Sequence, residues 1–444
     1  MKSIHSTYYF LGIGGVGMSA LARLCHLRGA KVFGYDRVKS SITQELEREG
    51  IRIEYNDEVT SIPDEVLDQK ASIIYTAAIP SSHPQLNFFI REGYSVKKRA
   101  LFLAELCQGK TTLAVGGTHG KTTTTAFLTH MFAYSKLPFT SFMGGFFKNN
   151  SSNLIRTGDD FMIVEADEYD RSFLHLHPTV AGITSIDSDH LDIYKTPQAF
   201  EKAFAVFASQ VKQQLIIAHG LPFDGLTYGV NVDAVYRIEN VQKFETGYLF
   251  DIKTPKEAHR GVKLNQLGAH NLSNMLCALA MADQVGISVK KALESLESFP
   301  GVYRRLNVFK WKGAWLIDDY AHHPTEIKSV LETVQSFFAE QKKCVVFQPH
   351  LFSRTQDFYK EFIEVLSQFD EVVLMEIYPA REEPIEGISS KNLLRDLNHP
   401  NKKLIEKTQL AQTIEASEAT VFALLGAGDI GEQIQFLKSK IEVE

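Results

Sequence analysis

Lys121 and Thr122 follow a glycine turn in the stretch LAVGGTHGKTTTTAF, and their order suits the handling of a nucleoside triphosphate. Glycines let backbone N–H groups close around phosphate oxygens, and a helix beginning at Lys121 would present its positive end to them. Lys121 can reach the β- and γ-phosphates, and the Thr122 hydroxyl can ligate Mg²⁺. The set expected at ATP is Gly116, Gly117, Thr118, His119, Gly120, Lys121, Thr122 and Thr123. The turn is short, because only three residues separate Gly116 from Gly120 and the residue five before Gly120 is Val115.

A second turn, Gly12-x-Gly14-x-x-Gly17, lies between a strand-like and a helix-like segment, with Asp36 following Gly17 by 19 residues. This is the dinucleotide fingerprint, which on its own says NAD. Its physical content is narrower: a diphosphate on a helix N-terminus and an acid receiving a ribose hydroxyl. A UDP-sugar would serve as well, and a separate triphosphate loop in the same chain favours it. Downstream, VEADEYD supplies Glu165, Asp167, Glu168 and Asp170, and DSDHLD supplies Asp187, Asp189, His190 and Asp192. Carboxylates at the ends of successive strands suit divalent cations around one triphosphate. DDYAHHPTE gathers acids with His322 and His323, QPHLFSRT adds His350 and Arg354, and Arg304-Arg305 follow Tyr303. No spaced His or Cys set accompanies His322 and His323, which argues against structural zinc.

The elements that must position these groups read as three α/β units in series. TYYFLGI, KVFGYD, ASIIYTAAI and YSVKKRA are strand candidates in a first parallel sheet. TTLAVGG, FMIVEAD, TVAGITSI and QLIIA continue in a second unit, with a β-rich stretch at 223–265 and a helix over LGAHNLSNMLCALAMADQVG. After Pro300-Gly301 the pattern restarts with AWLIDDYA, a helix from Pro324 to Glu340, KCVVFQP, a helix through DFYKEFIEVLSQ, EVVLMEIYP and VFALLGAGD. The expected fold class is therefore α/β with three domains: a Rossmann-like 1–105, a P-loop ATPase-like 106–300 with a β-rich insertion, and a Rossmann-like 301–444. A net charge of −6 argues against nucleic acid. No stretch reaches the ~20 apolar residues of a membrane span, and four scattered cysteines without paired spacing read as buried thiols of a reducing, cytoplasmic compartment.

In their order, GIGGVGMSALA, GGTHGKTTTT, VEADEYD, DSDHLD, GAHNLSN, GVYRRL, DDYAHHPTE, QPHLFSRT and GAGDI resemble the Mur ligases over essentially the whole chain. The resemblance implies an ATP- and Mg²⁺-dependent acid–amino-acid ligase with UDP-N-acetylmuramate and L-alanine as partners. It places the UDP-sugar on Gly14, Gly15, Val16, Gly17 and Met18 with Asp36. It places metal at Thr122, Glu165 and His190, and adenine at His270 and Asn271. It places ATP phosphates at Arg304 or Arg305 and the ATP ribose near Asp319. L-Alanine would meet Tyr320, His322 and Arg354, and His119 would stand beside the carboxylate substrate. The residues expected to serve catalysis are Lys121, His119, His190, Arg304 and His322. Where the family often reads H-R-x-x-R, this chain has His350-Leu351-Phe352-Ser353-Arg354, so Arg354 holds the alanine carboxylate alone or with Arg381. Three other readings compete: a recycling ligase that attaches a tripeptide to the same UDP-sugar, an NAD-dependent oxidoreductase, and a nucleotide-gated binding module. The intact G-I-G-G-x-G-M turn stands against the first.

Overall fold

The computed structural model describes residues 7–68, 71–150, 152–187, 194, 196–380 and 382–441. The chain forms two compact units: Met1–Val241, Phe250–Lys263 and Leu272–Pro300 make the first, and Gln242–Leu249, Leu264–Asn271 and Gly301–Glu444 the second.

The first sheet contains β1 (Thr7–Leu11), β2 (Lys31–Tyr35), β3 (Arg52–Glu54), β4 (Ser72–Tyr75) and β5 (Val96–Lys98), ordered β3-β2-β1-β4-β5. All its pairings are parallel. Apolar side chains alternate between two buried faces, as a parallel sheet covered on both sides requires. Tyr9, Leu11 and Ile73 enter one core, while Phe10 and Ile74 enter the other. The order reverses between β1 and β4, so the turns after these two strands flank a switch point.

The next sheet contains β6 (Thr111–Gly116), β7 (Phe139–Phe142), β8 (Leu154–Arg156), β9 (Phe161–Ala166), β10 (Val180–Ile183), β11 (Gln214–Ala218), β12 (Leu226–Val230), β13 (Tyr236–Phe244), β14 (Gly247–Lys253) and β15 (Ala258–Leu264). Its order is β15-β14-β13-β12-β11-β10-β6-β9-β7-β8. The β-rich stretch expected as an insertion thus extends this sheet at one edge. Within the first unit, one continuous core joins Phe10, Leu21, Leu24 and Leu46 to Ala114, Val164, Phe173, Phe200, Phe204 and Phe207.

The second unit holds β16 (Asn307–Trp311), β17 (Ala314–Asp319), β18 (Lys343–Phe347), β19 (Glu371–Met375), β20 (Lys402–Ile405) and β21 (Val421–Leu425), ordered β16-β17-β21-β18-β19-β20. Only β16 runs antiparallel, and it forms a hairpin with β17. Val421, Ala423 and Leu425 face one core and Phe422 and Leu424 the other, the pattern of a doubly wound sheet. The helix expected to reach Glu340 ends at Phe337, and the one expected through DFYKEFIEVLSQ is two, Phe352–Asp357 and Tyr359–Leu366, parted at Phe358. Arg99, read as part of a strand, begins the helix Arg99–Cys107. Cys25, Cys277 and Cys344 are buried free thiols, and Cys107 is partly exposed.

Candidate active site

The strand β6 ends at Gly116 and the helix Lys121–Tyr134 begins five residues later, so the turn must reverse tightly. Gly117 and Gly120 make this possible with φ of 131° and 82°, a region in which a Cβ would clash. At Gly117 that atom would stand 2.9 Å from the backbone nitrogens of Thr184 and Ser185. The segment after β10 braces the turn: Thr118 N–H donates to Ser185 O at 3.1 Å, His119 N–H to Ser185 Oγ at 2.9 Å, and the Thr118 hydroxyl to Asp187 O at 2.8 Å. The His119 ring nitrogen Nε2 lies 3.6 Å from Asp187 Oδ2. Thr122 and Thr123 are buried in the first turn of the helix, where N–H groups lack intrahelical acceptors.

Lys121 Nζ donates to the carbonyls of Gly117 (2.6 Å) and Thr118 (3.2 Å) and pairs with Glu168 at 2.8 Å. Burial by itself would lower the lysine pKa, but the charges of Glu168, Asp167 and Glu165 outweigh it and the net direction is upward. Burial raises the pKa of Glu168, and Lys121 opposes that rise. Glu165 is also pushed up by burial; one oxygen accepts Gly144 N–H at 2.5 Å and the other the Thr122 hydroxyl at 3.2 Å. The expected pair Thr122 and Glu165 is therefore adjacent. His190 lies outside the described residues, as do Asp189 and Asp192.

At the first turn, Gly12 has φ 82°, and its N–H and that of Ile13 both donate to Tyr35 O. Gly15 is the N-cap of the helix Val16–Leu27, and Met18 is buried in its first turn. The Asp36 carboxylate accepts Gly14 N–H at 2.8 Å and Val38 N–H at 3.2 Å, so its first task is to shape the turn. Side chains at Gly14 or Gly17 would collide with Asp36 and with Arg99 respectively.

In the second unit, Asp319 ends β17, accepts the N–H groups of Leu306 (2.7 Å) and Ala321 (2.8 Å), and is buried. Burial raises its pKa to about 6 against the opposing charge of Arg305. Tyr320 lies under both Arg304 and Arg305, each guanidinium 5.4 Å from the ring centre. Arg304 is buried and committed: Nε donates to Asp318 Oδ1 at 3.1 Å and Nη2 to Gly426 O at 2.5 Å. The expectation that Arg304 meets ATP phosphates meets this obstacle, whereas Arg305 keeps a partly exposed side chain. Exposed His270 and buried Asn271 open the helix Ala269–Gln284, with Asn271 Nδ2 donating to Leu267 O at 2.7 Å.

Tyr320, His322 and Arg354 do come together. The Tyr320 and His322 ring centres are 5.5 Å apart, His322 and His350 are 6.1 Å apart, and Arg354 Nη1 is 3.4 Å from His350 Nδ1. His322 Nδ1 lies 2.9 Å from Tyr320 O and 3.3 Å from Glu326 Oε2. Two acceptors at Nδ1 assign the proton there, leaving Nε2 with a lone pair. Burial lowers the His322 pKa, Glu326 opposes this, and Arg354 adds to it. Leu351, the departure from the family pattern, has φ 73°, a costly conformation for a branched side chain. Arg381 lies outside the described residues.

Three domain descriptions of one family match in series: "Mur ligase family, catalytic domain" over residues 7–111, "Mur ligase middle domain" over 115–282 and "Mur ligase, glutamate ligase domain" over 304–430. A UDP-N-acetylmuramate–L-alanine ligase from Christiangramia forsetii is 46% identical over 439 residues, covering 98% of this chain and 97% of that protein. The chain belongs to the Mur ligase family. The enzyme of the same description from Flavobacterium johnsoniae is also 46% identical, over 98% of this chain and 97% of its own. The solved UDP-N-acetylmuramate-alanine ligase of Thermotoga maritima superposes with a TM-score of 0.84 at 27% identity, covering 99% of this chain and 100% of that one. The three-domain α/β fold is thus the Mur ligase fold.

Within this Mur ligase, some site residues had no role assigned from sequence. Asn274 stands over the phosphate loop, where a Cβ on Gly120 would meet its Oδ1 at 2.4 Å. It lies in GAHNLSN, three residues after Asn271, so helical spacing could have flagged it. Glu168 was expected among the carboxylates facing a cation and instead pairs with Lys121, while Ser185 had no comparable signal, since its partner is distant in sequence. A hard cation fits Thr122 and Glu165: both offer oxygen, and Glu165 is a partly buried carboxylate whose charge needs compensation. No group of three or more His, Cys, Asp or Glu able to hold a metal stands among the described residues. Such a cation would complete its shell with phosphate oxygens and water, as Mg²⁺ does. No helix among the described residues is long and apolar enough to cross a membrane.

Proposed function

We propose that the chain joins L-alanine to the lactyl carboxylate of UDP-N-acetylmuramate at the expense of ATP, in the cytoplasmic synthesis of peptidoglycan precursors. The observation that carries this reading is the 46% identity to ligases of that description over 98% of the chain. The phosphate loop with Lys121, Thr122 and Glu165 supports it. The turn Gly14–Met18 with Asp36 is assigned to the UDP moiety, and His270, Asn271 and Asp319 to the nucleoside of ATP. Arg305, rather than the committed Arg304, is assigned to its phosphates.

A lactyl carboxylate oxygen attacks the γ-phosphorus in line, the bond to the β-phosphate oxygen breaks, and ADP leaves an acyl phosphate. Lys121 holds the β- and γ-phosphates and offsets the charge that spreads over the transferring group. Thr122 and Glu165, with His190 by family resemblance, would hold Mg²⁺, which would supply further charge neutralisation. The alanine amine then attacks the acyl carbon and phosphate departs. Arg354 orients the alanine carboxylate through a paired guanidinium contact. His322 takes the amine proton at Nε2, for which its lowered pKa keeps it neutral at physiological pH. His119 holds its ring beside the phosphate loop, next to the carboxylate undergoing activation.

The test is phosphate release with ATP, Mg²⁺ and UDP-N-acetylmuramate, adding L-alanine, glycine, L-serine or the tripeptide separately. Release that depends on L-alanine is expected. Release only with the tripeptide would reassign the protein to recycling, and no amine dependence at all would end the ligase reading.

A further inference from the structure

Arg99 stands between the two anion-handling turns of the first unit. It follows β5 directly, so it leaves the sheet at its C-terminal edge, where open α/β sheets receive their ligands. Its Nη1 lies 2.7 Å from the point a Cβ on Gly17 would occupy, so the guanidinium packs directly against the first turn of the helix Val16–Leu27 and a side chain at position 17 would displace it. On its other side Nη2 donates to Asp167 Oδ2 at 3.3 Å. Asp167 is itself set by Tyr169 N–H at 3.1 Å on Oδ1, and its charge acts on Lys121 of the phosphate loop.

The electrostatics of the first turn call for this cation. Asp36 places a carboxylate 2.8 Å from Gly14 N, beside any anion resting there. A helix N-terminus offers only about half a positive charge, too little to offset both that carboxylate and a diphosphate. Guanidinium has two donor edges, and Asp167 occupies one of them, leaving the planar fork that suits phosphate oxygens.

We propose that Arg99 grips the diphosphate of the sugar nucleotide, with Asp167 as the positioning residue that holds the guanidinium in register with the ATP site. This rests on the reading of Gly14–Met18 as the UDP turn. It makes Arg99 a substrate-binding residue and gives Gly17 a steric reason beyond helix geometry.

The test compares wild type, Arg99→Ala, Arg99→Lys and Asp167→Asn, by direct titration with UDP-N-acetylmuramate, UDP and uridine and by steady-state kinetics. For Arg99→Ala, Kd and KM for the UDP-sugar should rise about 10- to 100-fold, because a bidentate charge-assisted contact is lost. Uridine affinity and the KM values for ATP and L-alanine should move less than about 3-fold, since Arg99 touches neither. Arg99→Lys, the variant that preserves charge and folding, should still weaken UDP binding about 5-fold or more, because a point charge cannot serve both partners. Asp167→Asn should raise the UDP-sugar KM less than Arg99→Ala does. Unchanged UDP binding in folded Arg99→Lys or Arg99→Ala overturns the proposal, as does equal weakening of UDP and uridine. Binding is read without turnover, so a wild type that binds UDP through Arg99 but releases no phosphate with L-alanine would sink only the ligase reading.

Discussion

Lys121→Ala removes the proposed phosphate ligand and, in the same change, the counter-ion of Glu168. Glu168 is 1% exposed, and Lys121 Nζ lies 2.8 Å from it. Breaking a buried pair from one side costs about 3–5 kcal/mol, because the remaining charge is left uncompensated. The carboxylate limits that loss by taking up a proton, at about 1.4 kcal/mol per pH unit. Its pKa is already raised by burial, and loss of the opposing Lys121 raises it further. A carboxylate with a raised folded pKa destabilises the native state above that pKa, and the penalty fades as pH falls toward the unfolded value near ~4.3. The defect of Lys121→Ala should therefore be larger at pH 8 than at pH 5.5, in urea unfolding followed by far-ultraviolet circular dichroism. Glu168→Gln removes the buried charge, so the double variant Lys121→Ala/Glu168→Gln should recover at least about half of the lost stability, a coupling of about 1.5–2.5 kcal/mol. It should recover no ligase activity, because nothing replaces the ammonium at the transferring phosphate. Additive single costs, together with a Lys121→Ala defect that does not change with pH, would refute the reasoning.

Neighbouring arginines should behave oppositely. Arg304→Ala strips Asp318 of one of two cations and should destabilise the second unit by about 3–5 kcal/mol, read from fluorescence of Trp311 and Trp315. Arg305→Ala should leave stability within about 1 kcal/mol yet raise the KM for ATP about tenfold, and equal effects from both variants would contradict this assignment. His322→Ala should lower kcat about 10²- to 10⁴-fold, the usual worth of a positioned base. In wild type the rate should fall on acidification as His322 gains a proton, with a midpoint below its ordinary 6.5. Glu326→Gln should move that limb to still lower pH, because Glu326 favours the protonated ring; an unmoved limb would exclude His322 as the titrating group.

What was legible in the sequence is chemistry carried by neighbouring residues. The glycine turn before Lys121 could be read because the positive φ values at Gly117 and Gly120 are a local demand that only glycine meets cheaply. The parallel sheets were legible from apolar runs that must be buried on two faces, such as VFALL in β21. The grouping of Tyr320, His322 and Arg354 came from the family resemblance, and the folded chain brings them together after β17 and β18. The β-rich stretch was legible as strands, but whether it inserts or extends was not, because a strand's neighbour is set by long-range pairing.

Tertiary structure alone decided which member of each matched set does which task. Arg304 and Arg305 are identical in type and adjacent, and yet Arg304 turns inward to Asp318 and to a carbonyl 122 residues away, while Arg305 stays partly exposed. Glu168, rather than Asp167 beside it, receives Lys121 across 47 residues. Asp167 instead takes Arg99 across 68. Backbone geometry is a property of a few consecutive residues, so the sequence by itself determined the turns and the strands that present them. A charge's partner depends on which distant segment the cores bring alongside, and only the folded chain decides that.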